Sequence, residues 1–287
     1  MQKTILSKIE KIIRTAVSLT KLKMALLSSF LLLSVSCTEV TVTGRKQLNL
    51  IPSSMLIAMS SQSYRQFISE HKLSSDADGT KMVKNVGQRI RTAVEQYCAK
   101  NSMTNALEGY QWEINLVEDP NINAWAMPGG KIVVYTGLLP IAKTETGLAV
   151  VMGHEIAHNI ANHGNERMSQ GLLVDFGGIA LSQALENNPA QTRDLFMRSY
   201  GIGTQYGFVL PYSRMQETEA DRIGLIFMAM AGYDPHEAVN FWQRMSASQQ
   251  AGYTPELLST HPSDETRIAN IRNFIPEAIQ YYKTHGQ

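Results

Sequence analysis

The sequence has 287 residues, of which 44% are hydrophobic, and it carries a formal net charge of +1. At roughly 150 residues per domain, this length corresponds to one large domain or two small ones. The composition excludes a disordered tail, a collagen and a nucleic-acid binder with a basic face, so no nucleic-acid partner is expected. Two cysteines, Cys37 and Cys98, are too few for a disulfide framework or a cysteine-based zinc module.

The N-terminal segment is strongly basic. Residues 1–37 hold six lysines and arginines against the single acid Glu10, a local charge of +5, so the rest of the chain carries −4. Residues 24–36 form the apolar run MALLSSFLLLSVS. This run is too short to cross a membrane, which takes ~20 apolar residues, and is typical of the core of a signal peptide.

Cys37 follows the apolar run directly, and the small Ser36 precedes it, which resembles a bacterial lipobox. We therefore predict a lipoprotein signal peptide over residues 1–36 and a lipidated Cys37 that anchors the protein to a membrane of the bacterial envelope, facing the periplasm. The residue after Cys37 is Thr38 and not the aspartate that retains such proteins in the inner membrane, so the outer membrane is favoured. An ordinary cleaved secretion signal, in which Cys37 is incidental, is the alternative.

The remaining chain predicts helices and a few short strands, taken here in chain order. Residues 37–54 are expected to form the lipidated N-terminus and an extended linker. Apolar spacing then predicts two helices over 55–98, interrupted at 74–79, and alternation predicts strands at 110–117 and 131–135. Further helices are predicted at 144–163, with Thr144 as N-cap and Gly164 as the stop, at 211–230, 235–249 and 263–273, with Pro276 closing the compact part. This pattern predicts an α+β domain with a small antiparallel sheet.

The strongest motif is His154-Glu155-Ile156-Ala157-His158, an HExxH inside an amphipathic helical pattern. The two histidines lie one turn apart on the same helical face, a spacing that lets both reach one Zn²⁺. Glu155 lies beside them, where a carboxylate can take a proton from water. The alternative is two histidines on a solvated helix face, but the neighbouring residues are small and apolar, and Gly153 is expected to allow close approach of another element.

A zinc hydrolase needs a third protein ligand. His163 follows the second histidine by five residues and is interpreted as a helix-end residue instead. Glu217 and Asp221 are four residues apart and share a helical face, whereas Glu219 points elsewhere. One of these carboxylates can bind the metal while the other holds a histidine. A solvated acidic helix face explains the same pattern equally well.

HEIAH, followed by LPYSRMQETEADRIG, resembles the M48 family of zinc metallopeptidases, the group of the CAAX prenyl endopeptidase and HtpX, and in particular its secreted lipoprotein branch, which includes BepA and LoiP. The segments TGRKQLNLIP, NAWAMPGGKIVVYTGLL and STHPSDETRI also look like family landmarks. The resemblance implies a mainly helical zincin-like domain over residues 55–275, followed by a C-terminal tail at 276–287.

Carried over by position, the resemblance implies one Zn²⁺ per chain, held by His154, His158 and Glu217. It implies that Glu155 is the general base and Asp221 an accessory acid or orienting residue. The implied activity is endopeptidase cleavage of unfolded or misassembled envelope proteins.

The strand at 131–135 is expected at the sheet edge beside the cleft, where an extended substrate could add as a further strand. The main chain at Asn123, Ala124, Trp125 and Ala126 would line this groove. Trp125 replaces a smaller aromatic residue of family members and is expected to narrow it. The alternative is a plain edge strand blunted by Lys131.

His261 lies on a loop between two predicted helices. It is interpreted either as a surface or helix-capping histidine or, as the resemblance implies, as a fourth ligand that gates the metal. For the whole protein we weigh three hypotheses. The first is a zinc endopeptidase of envelope quality control, and the second is a chaperone-like envelope assembly factor that holds envelope proteins in the same groove. The third is a zinc hydrolase acting on other bonds. The envelope assembly machinery is a candidate partner.

Overall fold

The computed structural model describes residues 37–40, 42–175, 181–200, 213–250, 255–261 and 265–285. The predicted signal peptide and Pro211 lie outside these residues. The strands are β1 Cys37–Glu39, β2 Lys46–Leu48, β3 Glu113–Val117, β4 Ala124–Met127 and β5 Lys131–Tyr135. The helices are α1 Ser53–Glu70, α2 Ala77–Lys100, α3 Leu139–Ala142, α4 Glu145–Ile160, α5 His163–Asp175, α6 Leu181–Asn187, α7 Pro189–Ser199, α8 Arg214–Met230, α9 Glu237–Gln250, α10 Glu256–Thr260 and α11 Glu265–His285. The predicted α+β class is confirmed.

Capping side chains define where the two central helices begin. The Thr144 hydroxyl accepts a hydrogen bond from the Gly147 amide at 3.1 Å, which confirms the predicted N-cap of α4. Ser213 caps α8 in a reciprocal capping box with Gln216. The predicted end of α4 is wrong: the helix stops at Ile160, Asn162 adopts a positive φ of 56°, and a new helix contains Gly164.

The larger sheet has the strand order β3-β5-β4. Strand β5 pairs in parallel with β3 and antiparallel with β4, so the sheet is mixed and not antiparallel as predicted. The expectation that residues 131–135 form the sheet edge is also wrong, because they are the central strand and fully buried. The edge strand beside α4 is β4.

The sheet separates two apolar layers. Ala124 and Ala126 of β4 belong to the larger cluster, together with residues of α2, α4 and α8. Trp125 and Met127 belong to the second cluster, with residues of α1, α5 and α7. This alternation is what the two-residue period of a strand produces when both of its faces are buried.

The predicted linker and tail are parts of the folded body. Strands β1 and β2 pair as an antiparallel hairpin, Val40 and Ile51 are buried, and the Leu50 amide donates to Ser169 Oγ at 2.9 Å. At the other end Pro276 lies inside α11 and does not end it. Helix α11 packs against α8 as far as its C-terminal half, where Ala278 is buried. No helix among the described residues is both long and apolar enough to span a bilayer.

Helices α4 and α8 touch backbone to backbone at two glycines. A Cβ placed on Gly153 would lie 2.9 Å from the Gly224 carbonyl oxygen, and one on Gly224 would lie 2.9 Å from the His154 amide nitrogen. The expected close approach at Gly153 is therefore confirmed. Any larger residue at this crossing has to push the helices apart.

We expect Gly224→Ala to lower the free energy of unfolding by about 1–3 kcal/mol, because the added methyl meets main-chain atoms that cannot rotate away. Denaturant unfolding of the metal-free protein measures this. Gly171→Ala is the control, since the atoms nearest to its methyl would belong to the side chain of Leu195 and not to the main chain. A Gly224→Ala protein as stable as the wild type would contradict the close crossing.

Candidate metal centre

Four buried side chains converge where α4, α8 and the residue after α10 meet. They are His154, His158, Glu217 and His261, and each offers a ligand atom within 4.8 Å of those of the other three. The Nε2 atoms of His154 and His158 are 3.0 Å apart, and Glu217 Oε1 lies 3.3 Å from His158 Nε2. His261 Nδ1 is 2.8 Å from the same Glu217 oxygen.

The donor set fits a divalent cation such as Zn²⁺. Imidazole nitrogens and a carboxylate oxygen, each from a buried side chain, are the ligands that zinc takes in proteins. Two ring nitrogens that face each other at 3.0 Å need a shared proton or a cation between them. Buried groups of this kind are costly without such a partner.

Glu155 lies beside this cluster and points into it. Its side chain is buried, and its Oε1 accepts no hydrogen bond within the described part of the chain, although it lies 3.4 Å from His261 Nε2. Burial raises the pKa of Glu155, while the neighbouring His261 and His154 act in the opposite direction. A carboxylate with a raised pKa is a better acceptor of a proton at neutral pH.

Asp221 contacts the His154 ring nitrogen that is turned away from the ligand cluster, and Arg267 in turn holds Asp221. Asp221 Oδ1 lies 2.9 Å from His154 Nδ1, and Arg267 donates two 2.8 Å hydrogen bonds to the Asp221 carboxylate. Burial opposes ionisation of Asp221, but Arg267 and His154 outweigh it and lower its pKa. The Arg267 guanidinium lies 3.5 Å from the ring centroid of Trp242.

Sequence reasoning did not assign a role to Arg267. It lies in the STHPSDETRI segment, but its charge gave no sign that it is buried among carboxylates. Arg267 Nη1 is also 2.9 Å from Glu217 Oε2, so this cation contacts two of the acidic groups around the site. The spacing of the two carboxylates makes them candidates and the family resemblance implies their roles, whereas their counter-ion comes from a different helix.

His158 is held by a different set of residues. His163 Nδ1 lies 2.8 Å from His158 Nδ1, and His163 Nε2 lies 2.9 Å from Glu219 Oε2. His163 does lie at a helix end, as the first residue of α5, but the expected interaction of its ring with terminal carbonyls is wrong, because the ring is buried against His158. Glu219 points away from the ligand cluster, as its helical position predicts. Burial lowers the pKa of His163, while the Glu219 carboxylate acts in the opposite direction.

The predicted groove residues lie on and just before β4. Asn123, Ala124, Trp125 and Ala126 are all buried, and α4 packs against this strand. The expectation that Trp125 narrows a groove is wrong. Its ring packs edge-on against Tyr64 and Phe67 in the second cluster, and its exposed fraction is 2%.

Comparison with known proteins gives a family and several relatives. Residues 84–275 match the model of peptidase family M48. The chain is 32% identical to the mitochondrial metalloendopeptidase OMA1 of Schizosaccharomyces pombe over 83% of this chain and 66% of that protein. It is 34% identical to the mitochondrial metalloendopeptidase OMA1 of Bos taurus over 90% of this chain and 50% of that protein. It is 32% identical to the β-barrel assembly-enhancing protease of Escherichia coli over 55% of this chain and 33% of that protein.

The chain therefore belongs to peptidase family M48, and the predicted family is confirmed. It spans between a third and two thirds of the length of these three relatives. The mitochondrial matches extend over more of this chain than the bacterial one does. Membership of the secreted lipoprotein branch stays a prediction.

Proposed function

We propose that this protein is a zinc-dependent endopeptidase that cleaves unfolded or misassembled proteins of the bacterial envelope. The observation that carries the proposal is the buried cluster of His154, His158 and Glu217 with the Glu155 carboxylate directed into it. Membership of peptidase family M48 supports the same activity. The substrate class rests on the predicted export signal and on the similarity to a β-barrel assembly-enhancing protease.

In this proposal His154, His158 and Glu217 would hold Zn²⁺, with Glu155 as the general base. When bound, zinc polarises a carbonyl group and lowers the pKa of water. Glu155 takes a proton from the attacking water and passes it to the leaving amine. Asp221 accepts a hydrogen bond from His154 Nδ1, which leaves the lone pair of Nε2 directed into the site.

The edge of β4 is where we place the substrate. One edge of this strand pairs with β5, and α4 packs against the same strand. An extended peptide could pair with the other edge through main-chain hydrogen bonds, which are independent of sequence. The small side chains of Ala124 and Ala126, on the α4 side of the strand, would leave room near Glu155.

The alternative function is a chaperone-like factor that binds envelope proteins in the same groove with little proteolysis. A binding-only protein has no use for a buried carboxylate beside a metal site, because burying it costs free energy. The presence of Glu155 therefore favours hydrolysis.

We expect Glu155→Gln to keep bound zinc and to lose casein cleavage, because the amide cannot take a proton but leaves the ligands intact. Glu217→Ala should lose zinc and cleavage together, since a ligand is removed. Zinc content and casein turnover are measured on the same purified samples. Full activity of Glu155→Gln would contradict the assignment of Glu155 as the general base. Full zinc occupancy of Glu217→Ala would contradict the assignment of Glu217 as a ligand.

We also propose that His261 closes the site as a fourth ligand. Its Nδ1 lies 3.2 Å from His154 Nε2, and its side chain is buried. Helix α10, which precedes it, contacts the segment just before the substrate strand, where the Leu257 amide donates to the Ile122 carbonyl at 3.2 Å. A substrate that enters at β4 would compete with this contact and favour a displaced His261.

His261→Ala should raise basal casein cleavage and self-cleavage at unchanged zinc content, because three ligands remain. Ser259→Ala, an exposed position on the same helix, is the matched control and should behave like the wild type. Casein turnover by His261→Ala that is equal to or lower than that of the wild type would contradict the proposal that His261 closes the site.

Finally, we propose that Cys37 is lipidated and anchors the protein, on the outer membrane by preference. Cys37→Ser should then move the protein from the membrane to the soluble fraction, since a multiply acylated cysteine holds stably where one chain does not. Fractionation after expression with its own N-terminus measures this. Unchanged membrane association of the variant would contradict the anchor.

A further inference from the structure

The two histidines of the HExxH motif are supported in different ways. His154 is backed directly by a carboxylate, Asp221, at 2.9 Å. His158 is backed at Nδ1 by another histidine, His163, and the Nε2 of this second ring lies 2.9 Å from the Glu219 carboxylate. The carboxylate behind His158 is therefore one residue further from the site.

The hydrogen bonds behind His158 run in one direction. Glu219 can only accept, so His163 Nε2 carries a proton and donates to it. His158 Nε2 lies 3.3 Å from Glu217 Oε1 inside the ligand cluster, and as a proposed ligand atom it keeps its lone pair, so the proton of His158 is on Nδ1. His158 Nδ1 therefore donates to His163 Nδ1, which accepts.

Glu219 is fixed in turn by the N-terminal hairpin. The Thr43 hydroxyl donates to Glu219, and Arg45 Nε donates to Glu219 Oε2 at 2.7 Å. Arg45 also donates two 2.9 Å hydrogen bonds to Glu166 of α5, the helix that begins at His163. One guanidinium therefore joins α5, which carries His163, to α8, which carries Glu219.

We propose that His163, Glu219 and Arg45 form a positioning relay that fixes the tautomer and orientation of His158, so that the hairpin is part of the metal site. The relay rests on the proposed metal ligands. Arg45 precedes residues 84–275, the part that matches the family model. The functional unit then begins at the hairpin, outside the matched segment.

The test measures Zn²⁺ affinity by competition with a chromophoric chelator, and the visible spectrum of the Co²⁺-loaded protein. His163→Leu removes both ring nitrogens and should weaken Zn²⁺ binding by about 10–100-fold and change the Co²⁺ spectrum. His163→Gln again offers an acceptor and a donor, and should recover much of the affinity. Arg45→Met should weaken binding in the same direction.

The matched control is Asn165→Ala. Asn165 is buried in α5 and donates to the Ile51 carbonyl at 2.9 Å, so its loss also frees the N-terminal segment from this helix without touching His158. Its Zn²⁺ affinity should be unchanged even if its melting temperature falls. Because Arg45 is partly exposed, Arg45→Met decides the matter if His163→Leu does not fold.

Normal Zn²⁺ affinity in His163→Leu or in Arg45→Met, or a loss in Asn165→Ala as large as in His163→Leu, would overturn the relay. A wild-type protein that binds no Zn²⁺ overturns the proposed function and the relay together. Wild-type binding with unaltered variants overturns the relay alone, because affinity is measured without reference to peptidase activity.

Discussion

The contact between α4 and α8 at Gly153 and Gly224 is the constraint on which the rest of the site depends. Two helices that touch through their main chains bring side chains one or two turns away within reach of each other. His154 and His158 on one helix and Glu217 on the other meet for this reason. With larger residues at the crossing, the same three side chains would be present but separated by the width of a methyl group or more.

Such a crossing places many charged groups in an apolar interior. Glu217, Glu219 and Asp221 are all buried, as are the motif residues of α4. Charges buried in this way persist only when they are paired. The chain supplies Arg267 from the C-terminal side and Arg45 from the N-terminal side, so both ends of the sequence are needed to neutralise its centre.

The residues around the motifs were predictable because their patterns are local. Helical periodicity placed α1, α2, α4 and α8 close to their observed ranges, and the i, i+4 spacing placed both histidines on one face. Contacts between distant segments were not predictable. The sequence of strand 131–135 is compatible with an edge strand and with a central strand. A short apolar run does not indicate whether the strand pairs with one neighbouring strand or with two.

The burial of the two arginines was equally unpredictable, because it depends on contacts between distant segments. Arg45 and Arg267 look like surface side chains in the sequence, because nothing in their flanks indicates a buried partner more than a hundred residues away. Pro276 is predicted to close the compact part, yet α11 continues past it. The contact of His163 with His158 is not predictable from the sequence, because it depends on the turn at Asn162, after which α5 begins with a ring directed back at His158.

The arginine at position 45 has a consequence for the order in which the chain folds. Its partner Glu219 is 174 positions away, and the cluster at the centre is completed by side chains near residue 261 and backed by Arg267. Contacts of such long range form late, because the intervening loops must close first. During synthesis Arg45 therefore cannot pair with Glu219 until the chain has been made past residue 219, and Arg267 follows later still. The buried carboxylates at the centre are thus neutralised only in a late step of folding.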